Sequence, residues 1–289
     1  MRIIKEISQL RKILDQARCK GQTIGFVPTM GCFHEGHLSL MRQAKKNNDI
    51  CVVSIYVNPV QFGPKEDFKK YPRDLKRDSS MVKKENVDIL FIPFDNEIYP
   101  KSYLTYIDVE KISQVLCGRF RPGHFRGVAT IVAKLLHMVT PNVLYLGQKD
   151  AQQVAVLKAM VRDLNFPVKV EVVSTCREAD GLAMSSRNKY LSLSQREESV
   201  VLYKALRKSQ EMIAQGQRSS ARIKLAITNM IQKGSSGKVQ YVQCVNADTL
   251  ENLKRLEGNI LIALAVFFGK TRLIDNVFIP IHESKQNKN

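Results

Sequence analysis

The sequence predicts an α/β protein, with a doubly wound parallel-sheet domain over residues 1–180 followed by a smaller α+β domain over residues 181–289. Three observations carry this prediction. Through the first 180 residues, apolar runs of strand length alternate with amphipathic runs of helix length. The strand-like runs are almost continuously apolar, as strands covered on both faces by helices must be. Past residue 180 the order changes to helices first and strands later, which marks a separate α+β unit.

The elements follow in order. An opening helix runs to about Gly21, "TIGFVP" reads as a buried strand, "HLSLMRQAKKN" as a helix and "DICVVSIYV" as the next strand. "RDSSMVKKEN" is a helix before the strand "VDILFIP", "RGVATIVAKLLHMV" a helix before "NVLYLG", and "AQQVAVLKAMVRDLN" a helix before "VKVEVVST". In the second domain, "SQREESVVLYKALRKSQEMIAQG" and "SARIKLAITNMIQKG" are expected helices. The stretch "KVQYVQCVNADTL" and the pair "ILIALAVFFGKTRLIDNVFI", read as antiparallel strands joined around Gly269, come after them. The final "HESKQNKN" is too polar to pack and reads as unstructured.

Composition narrows the function. A chain of 289 residues with 44% hydrophobic content buries a substantial core. The amino terminus has no uninterrupted signal-like stretch, and the longest apolar run, "ILIALAVFF" at 260–268, is too short to span a bilayer. These features predict a cytoplasmic protein with no membrane partner. Six scattered cysteines, without a close pair, argue for buried free thiols over a zinc or redox motif. The formal charge of +18 attracts anions. No zinc-finger spacing, basic region or aromatic RNA-binding signature accompanies it, so small anionic substrates are favoured over nucleic acid.

The chemistry concentrates where a strand meets a helix. In "PTMGCFHEGHLSL", residues 28–40, the strand ends near Pro28 and a helix begins around Gly36, so His34 and His37 straddle a helix amino terminus. Backbone N–H groups and the helix dipole make that position an anion site. Gly31 and Gly36 permit close approach of a ligand to the backbone, and the imidazoles can donate to phosphoryl oxygens. Zinc is the competing reading of H-x-x-H, but no convincing third ligand stands nearby. In "YLGQKDAQQ", Gly147, Lys149 and Asp150 follow a strand, where a lysine can meet phosphate and a carboxylate can accept from ribose hydroxyls; a simple helix start is the bland alternative. "GLAMSSRN", residues 181–188, presents two hydroxyls and an arginine in a loop suited to closing on phosphates, or merely to capping a helix.

The motifs "PTMGCFHEGHLSL", "YVNPVQFGPKEDFKKYPR", "GHFRGVATIVAKLL", "GQKDAQQ" and "READGLAMSSRN", in this order, resemble those of the pantoate:beta-alanine ligase family, and the likeness runs over nearly the whole chain. The H-x-G-H element alone is shared with a wider superfamily of nucleotidylyl transferases and class I aminoacyl-tRNA synthetases. The resemblance implies a Rossmann-like nucleotide domain, a smaller carboxyl-terminal domain that is a candidate lid, and a homodimer. It also implies ATP-dependent joining of pantoate to beta-alanine, with AMP and diphosphate released and Mg2+ arriving with ATP.

Residue by residue, it implies that Met30, Gly31, Cys32, Phe33, His34, Glu35, Gly36 and His37 wrap ATP, with both histidines at its phosphates and His37 catalytic. Gly147, Gln148, Lys149 and Asp150 would serve ribose and phosphate. Met184, Ser185, Ser186 and Arg187 would close on the phosphates, and Cys176 would reach adenine through its backbone. His34, Lys149 and Arg187 join His37 as charge-stabilising catalytic groups, and Gln61 and Gln153 would hold pantoate. Neutral amides suit that task, because they bind a hydroxy acid without tying up the attacking carboxylate in an ion pair. Cys32 and Phe33 depart from the alanine and leucine usual in the family, and Cys176 from its valine. Cys32, if exposed, would sensitise the site to thiol reagents. A nucleotidylyl transferase acting on another small acceptor, and a basic RNA-binding protein, are the alternative functions.

Overall fold

Strands that are apolar along their whole length pair in parallel and leave both faces to helices. In the computed structural model, which describes residues 1–64, 66 and 68–281, six strands make one sheet, its central ones apolar and its two edge strands carrying charged residues. The six are β1 (Arg2–Ile4), β2 (Ile24–Thr29), β3 (Ile50–Ile55), β4 (Ile89–Phe91), β5 (Val143–Gly147) and β6 (Lys169–Val173). All neighbouring pairs are parallel, in the order β1-β4-β3-β2-β5-β6. The expected polar tail, 282–289, lies outside the described residues.

Parallel neighbours need crossovers, and helices supply them: α1 (Ile7–Cys19), α2 (Glu35–Asn47), α3 (Leu75–Lys84), two short pieces α4 (Asp95–Ile98) and α5 (Leu116–Phe120), α6 (His124–Val139) and α7 (Ala151–Asp163). The sequence reading missed β1, α4 and α5, each too short to show a period. Leu40, Met41 and Ala44 of α2 bury against Val27, Cys51, Val53, Leu90 and Tyr145. After β2 the chain winds through β3 and β4 on one side, then returns to the other side of β2 as β5 and β6. The carboxyl ends of β2 and β5 therefore flank the switch point, where ligands bind in open α/β sheets.

The carboxyl-terminal part has helices α8 (Leu193–Glu198), α9 (Val201–Ala214) and α10 (Ser220–Gly234), and an antiparallel sheet of β7 (Lys238–Asn246), β8 (Gly258–Phe268) and β9 (Thr271–Ile281). The hairpin turns at Gly269, whose φ of 58° suits glycine, with Phe268 opposite Thr271. Apolar residues of α9 and α10, among them Leu202, Leu206, Ile223 and Ile227, pack on Ile260, Ile262 and Leu264 of β8. The single helix expected over this region is broken into α8 and α9. At the break Ser199 Oγ donates to the Arg196 carbonyl (2.7 Å), a local bond that competes with the helical ladder. The doubly wound sheet followed by a smaller α+β part is thus as the sequence predicts. The chain forms two compact units, one of residues 1–114, 118–148 and 156–175, the other of 115–117, 149–155 and 176–289.

Candidate active site

In the first unit, β2 ends at Thr29 and α2 begins at Glu35, with His34 as its extended amino-terminal cap (φ −138°, ψ 173°). Between them the chain reverses through two consecutive left-handed residues, Gly31 (φ 78°) and Cys32 (φ 53°). Thr29 Oγ1 fixes the entry, donating to the Ser54 carbonyl (2.6 Å) and accepting the Gly31 N–H (3.3 Å). The turn is then seized by α3: Asp78 accepts from the N–H groups of Cys32 (2.7 Å) and Phe33 (3.0 Å).

Phe33 is buried in the sheet core, and its ring meets the edge of His37 at a centroid distance of 5.4 Å. His34 and His37 come together, ring centroids 4.1 Å apart, across the first turn of α2. His37 Nδ1 accepts the His34 backbone N–H (3.4 Å), so in the neutral ring Nε2 carries the proton. Two imidazoles at a helix amino terminus form a donor site for an anion. Glu35 is exposed and pairs with Arg42, while Met30 and Gly36 are half-buried.

Gln61 ends a one-turn 3-10 helix, Pro59–Gln61, and is buried. Its Nε2 donates to Met30 Sδ (2.8 Å) and its Oε1 accepts from Asn58 Nδ2 (3.2 Å), which joins it to the β2–α2 turn. Asn58 is itself held by Tyr99 and by the Gly127 carbonyl. A Cβ on Gly127 would lie 2.7 Å from the Gln61 backbone N and Cα, so only glycine lets α6 come this close. Behind the amide, His124 Nδ1 donates to the Gln61 carbonyl (2.8 Å), and Arg121 holds Glu66 with bonds of 2.6 and 2.5 Å. Burial works against ionisation of Glu66, yet the hydrogen bonds and charge of Arg121 outweigh it and hold the carboxyl below its ordinary value. Gly147 and Gln148 follow at the end of β5, the neighbour of β2, both half-buried.

The other predicted residues belong to the second unit. Lys149 and Asp150 close a 3-10 turn that runs into α7, with Lys149 Nζ 3.7 Å from Asp150 Oδ2. Asn276 of β9 donates to the Lys149 carbonyl (2.8 Å). Of the two glutamines that follow, Gln152 is structural: it is 6% exposed, accepts from the Cys117 N–H and donates to the Val115 carbonyl. Gln153 is half-buried.

The stretch from Cys176 to Asn188 doubles back on itself. Met184 N–H donates to the Cys176 carbonyl (3.0 Å), the two sulfurs lie 3.7 Å apart, and Arg177 bridges Ala183. The expected loop over Ser185–Arg187 is in part a 3-10 helix, Ser186–Tyr190, capped by Ser185 Oγ accepting from the Arg187 N–H (3.2 Å). Arg196 pins Glu178 (2.5 Å) and Asp180 (2.7 Å) beneath it. Arg177 makes a two-pronged bond to Asp275 of β9 (2.6 and 3.0 Å), donates to the Gly181 carbonyl (3.1 Å) and lies over the Tyr203 ring.

Two expectations about the thiols need correction. Cys32 is 4% exposed, packed beneath the turn it belongs to, so the condition for its sensitivity to thiol reagents is not met. Nor are all six cysteines buried, since Cys19 is exposed on α1 and Cys176 is half-buried. Sequence reasoning also missed Asp78, Asp275 and Asn276. A signal existed for the acids: Asp78 is one helical turn before the buried Val82, and Asp275 interrupts an apolar strand. Among the described residues, no group of three or more His, Cys, Asp or Glu is placed to hold a metal, and no helix is long and apolar enough to cross a membrane.

Comparison with known proteins supplies independent findings. A sequence model described as Pantoate-beta-alanine ligase matches residues 2–278. A pantothenate synthetase from Caldicellulosiruptor bescii is 51% identical over 279 residues, covering 96% of this chain and 99% of its own. The crystal structure of pantothenate synthetase from Thermus thermophilus superposes with a TM-score of 0.91 at 42% identity, over 96% of this chain and 99% of that one. A pantoate-beta-alanine ligase from Francisella tularensis, complexed with beta-gamma ATP and beta-alanine, gives a TM-score of 0.78 at 38% identity, over 96% of this chain and 97% of that one.

Proposed function

This chain belongs to the pantoate-beta-alanine ligase family, and on that premise we propose that it condenses pantoate with beta-alanine in an ATP-dependent reaction that yields pantothenate, AMP and diphosphate. The observation that carries this reading into chemistry is the pair His34 and His37 across the first turn of α2, at the sheet's switch point.

The reaction runs in two steps. A carboxylate oxygen of pantoate attacks the α-phosphorus of ATP, the bond to the bridging oxygen breaks, and diphosphate leaves with its electron pair. His34 and His37, with Lys149 and Arg187, stabilise the charge that moves onto the leaving group, so positioning and preorganised electrostatics supply most of the acceleration. The amine of beta-alanine then attacks the acyl carbon of pantoyl adenylate, the amine loses a proton, and AMP departs. Water must be kept from the mixed anhydride meanwhile. No protein nucleophile takes part.

We assign ATP to Met30–His37, Gly147, Gln148, Lys149, Asp150, Cys176 and Met184–Arg187, and pantoate to Gln61 and Gln153. Mg2+ arriving with ATP would supply neutralisation of phosphate charge. The histidines, lysine and arginine fit such a complex, because they would complement its phosphate oxygens. A cytoplasmic homodimer completes the reading.

The test is diphosphate and AMP release from ATP and magnesium, with pantoate and beta-alanine supplied separately and together. Pantoate alone should support exchange of diphosphate into ATP, and steady AMP release should need both substrates. Exchange that ignores pantoate would refute the ligase and direct attention to nucleotidyl transfer onto another acceptor.

A further inference from the structure

We propose that Asp78, seconded by Arg77, is the positioning residue that sets the nucleotide turn for adenylate formation, an inference that rests on the ligase reading. Asp78 is 2% exposed, and its two carboxylate oxygens each take one backbone N–H of the β2–α2 turn, Oδ2 from Cys32 (2.7 Å) and Oδ1 from Phe33 (3.0 Å). The neighbouring residue holds the other pole of the same peptide segment, since Arg77 Nη2 donates to the Phe33 carbonyl (3.2 Å) while its Nη1 lies 3.8 Å from Asp78 Oδ1. Helix α3 is fixed in turn by Asp74, whose side chain accepts the Arg77 N–H (3.0 Å) as amino-terminal cap.

The grip has two consequences for chemistry. First, Cys32 has a φ of 53°, which side-chain-bearing residues adopt reluctantly, so the turn that delivers His34 to the cap of α2 must be held from outside. Second, successive backbone N–H groups in a turn, here those of Cys32 and Phe33, make an anion-binding concavity. Asp78 fills that concavity with its own charge. Phosphate is thereby excluded from Cys32 and Phe33 and directed to the start of α2, where the two imidazoles stand. The carboxylate thus determines where the leaving diphosphate can sit, without touching it.

The experiment separates the two half-reactions in the full-length protein: pantoate-dependent diphosphate–ATP exchange, and single-turnover aminolysis of supplied pantoyl adenylate by beta-alanine. Asp78→Asn keeps the shape but turns an NH2 toward one of the two backbone donors. Its exchange rate should fall about 100-fold at saturating ATP, while aminolysis, which stabilises no diphosphate, should fall less than about threefold. Arg77→Ala, at a half-exposed side chain, should lower exchange about three- to tenfold with aminolysis again spared, and it decides the matter if Asp78→Asn does not fold. Exchange within about threefold of wild type in Asp78→Asn, or equal losses in both half-reactions, would overturn the proposal. A wild-type protein that shows no pantoate-dependent exchange would instead overturn the ligase reading itself.

Discussion

Replacing Asp275 by alanine tests whether the buried pair with Arg177 anchors the Met184–Arg187 stretch. The Asp275 side chain is 1% exposed and that of Arg177 20%, and the two share charge-assisted bonds of 2.6 and 3.0 Å. Alanine removes the counter-charge and also strips the Asn276 backbone N–H of its acceptor at 2.8 Å. Breaking one side of a buried pair costs about 3–5 kcal/mol, because the remaining charge is left uncompensated. Arg177 keeps the Gly181 carbonyl and the Tyr203 ring 4.3 Å away, and it reaches some water, which places the loss at the lower end, about 3 kcal/mol. That corresponds to roughly 6–12 °C in melting temperature. Urea unfolding followed by circular dichroism measures the first and a thermal scan the second. The KM for ATP should rise in the folded variant, because Arg177, which holds the Gly181 carbonyl three residues before Met184, loses its own anchor on Asp275. A loss below about 1 kcal/mol, the range of an exposed ion pair, would refute the reasoning.

His37→Ala should slow single-turnover adenylate formation by about 100-fold, the loss typical for one preorganised donor to developing charge; a near-normal rate would remove His37 from the mechanism. Gly127→Ala forces a Cβ to within 2.7 Å of the Gln61 backbone and should cost about 1–3 kcal/mol. Its KM for pantoate should rise more than its KM for ATP, and equal shifts would argue against Gln61 as a pantoate ligand. Glu66 has a folded-state pKa below its ordinary value, so the stability it contributes is fully present above the unfolded value and disappears as pH falls through the folded one. Urea titrations of wild type and Glu66→Gln should therefore differ by a constant amount near neutrality and converge in acid; a gap that widens in acid would reverse the assignment.

Particular residues show what local sequence could carry. His34 and His37 were legible because the end of an apolar strand, two glycines and the start of an amphipathic helix all occur within "PTMGCFHEGHLSL", and a helix amino terminus is a local feature. Gln61 was visible as a member of a motif, but its surroundings were not. Met30, Asn58 and His124 reach it from 31, 3 and 63 residues away. Distance along the chain also hid Asp78, which acts 46 residues from Cys32, and Asp275, which acts 98 residues from Arg177.

The sequence by itself determined the alternation of strands and helices, the change of architecture after β6, the family's motifs and the anion-binding start of α2. Each depends on periodicity or on residues near one another in the chain. Only the tertiary structure decided that β2 stands between β3 and β5, so that the Met30–His37 and Gly147–Gln148 segments leave neighbouring strand ends. It also decided that Cys32 is buried and that the turn above it is held by a carboxylate from another helix. The reason is that strand order and buried hydrogen bonds are satisfied by partners the folded chain brings together, and a buried N–H registers only whether it is satisfied, wherever in the sequence its acceptor comes from.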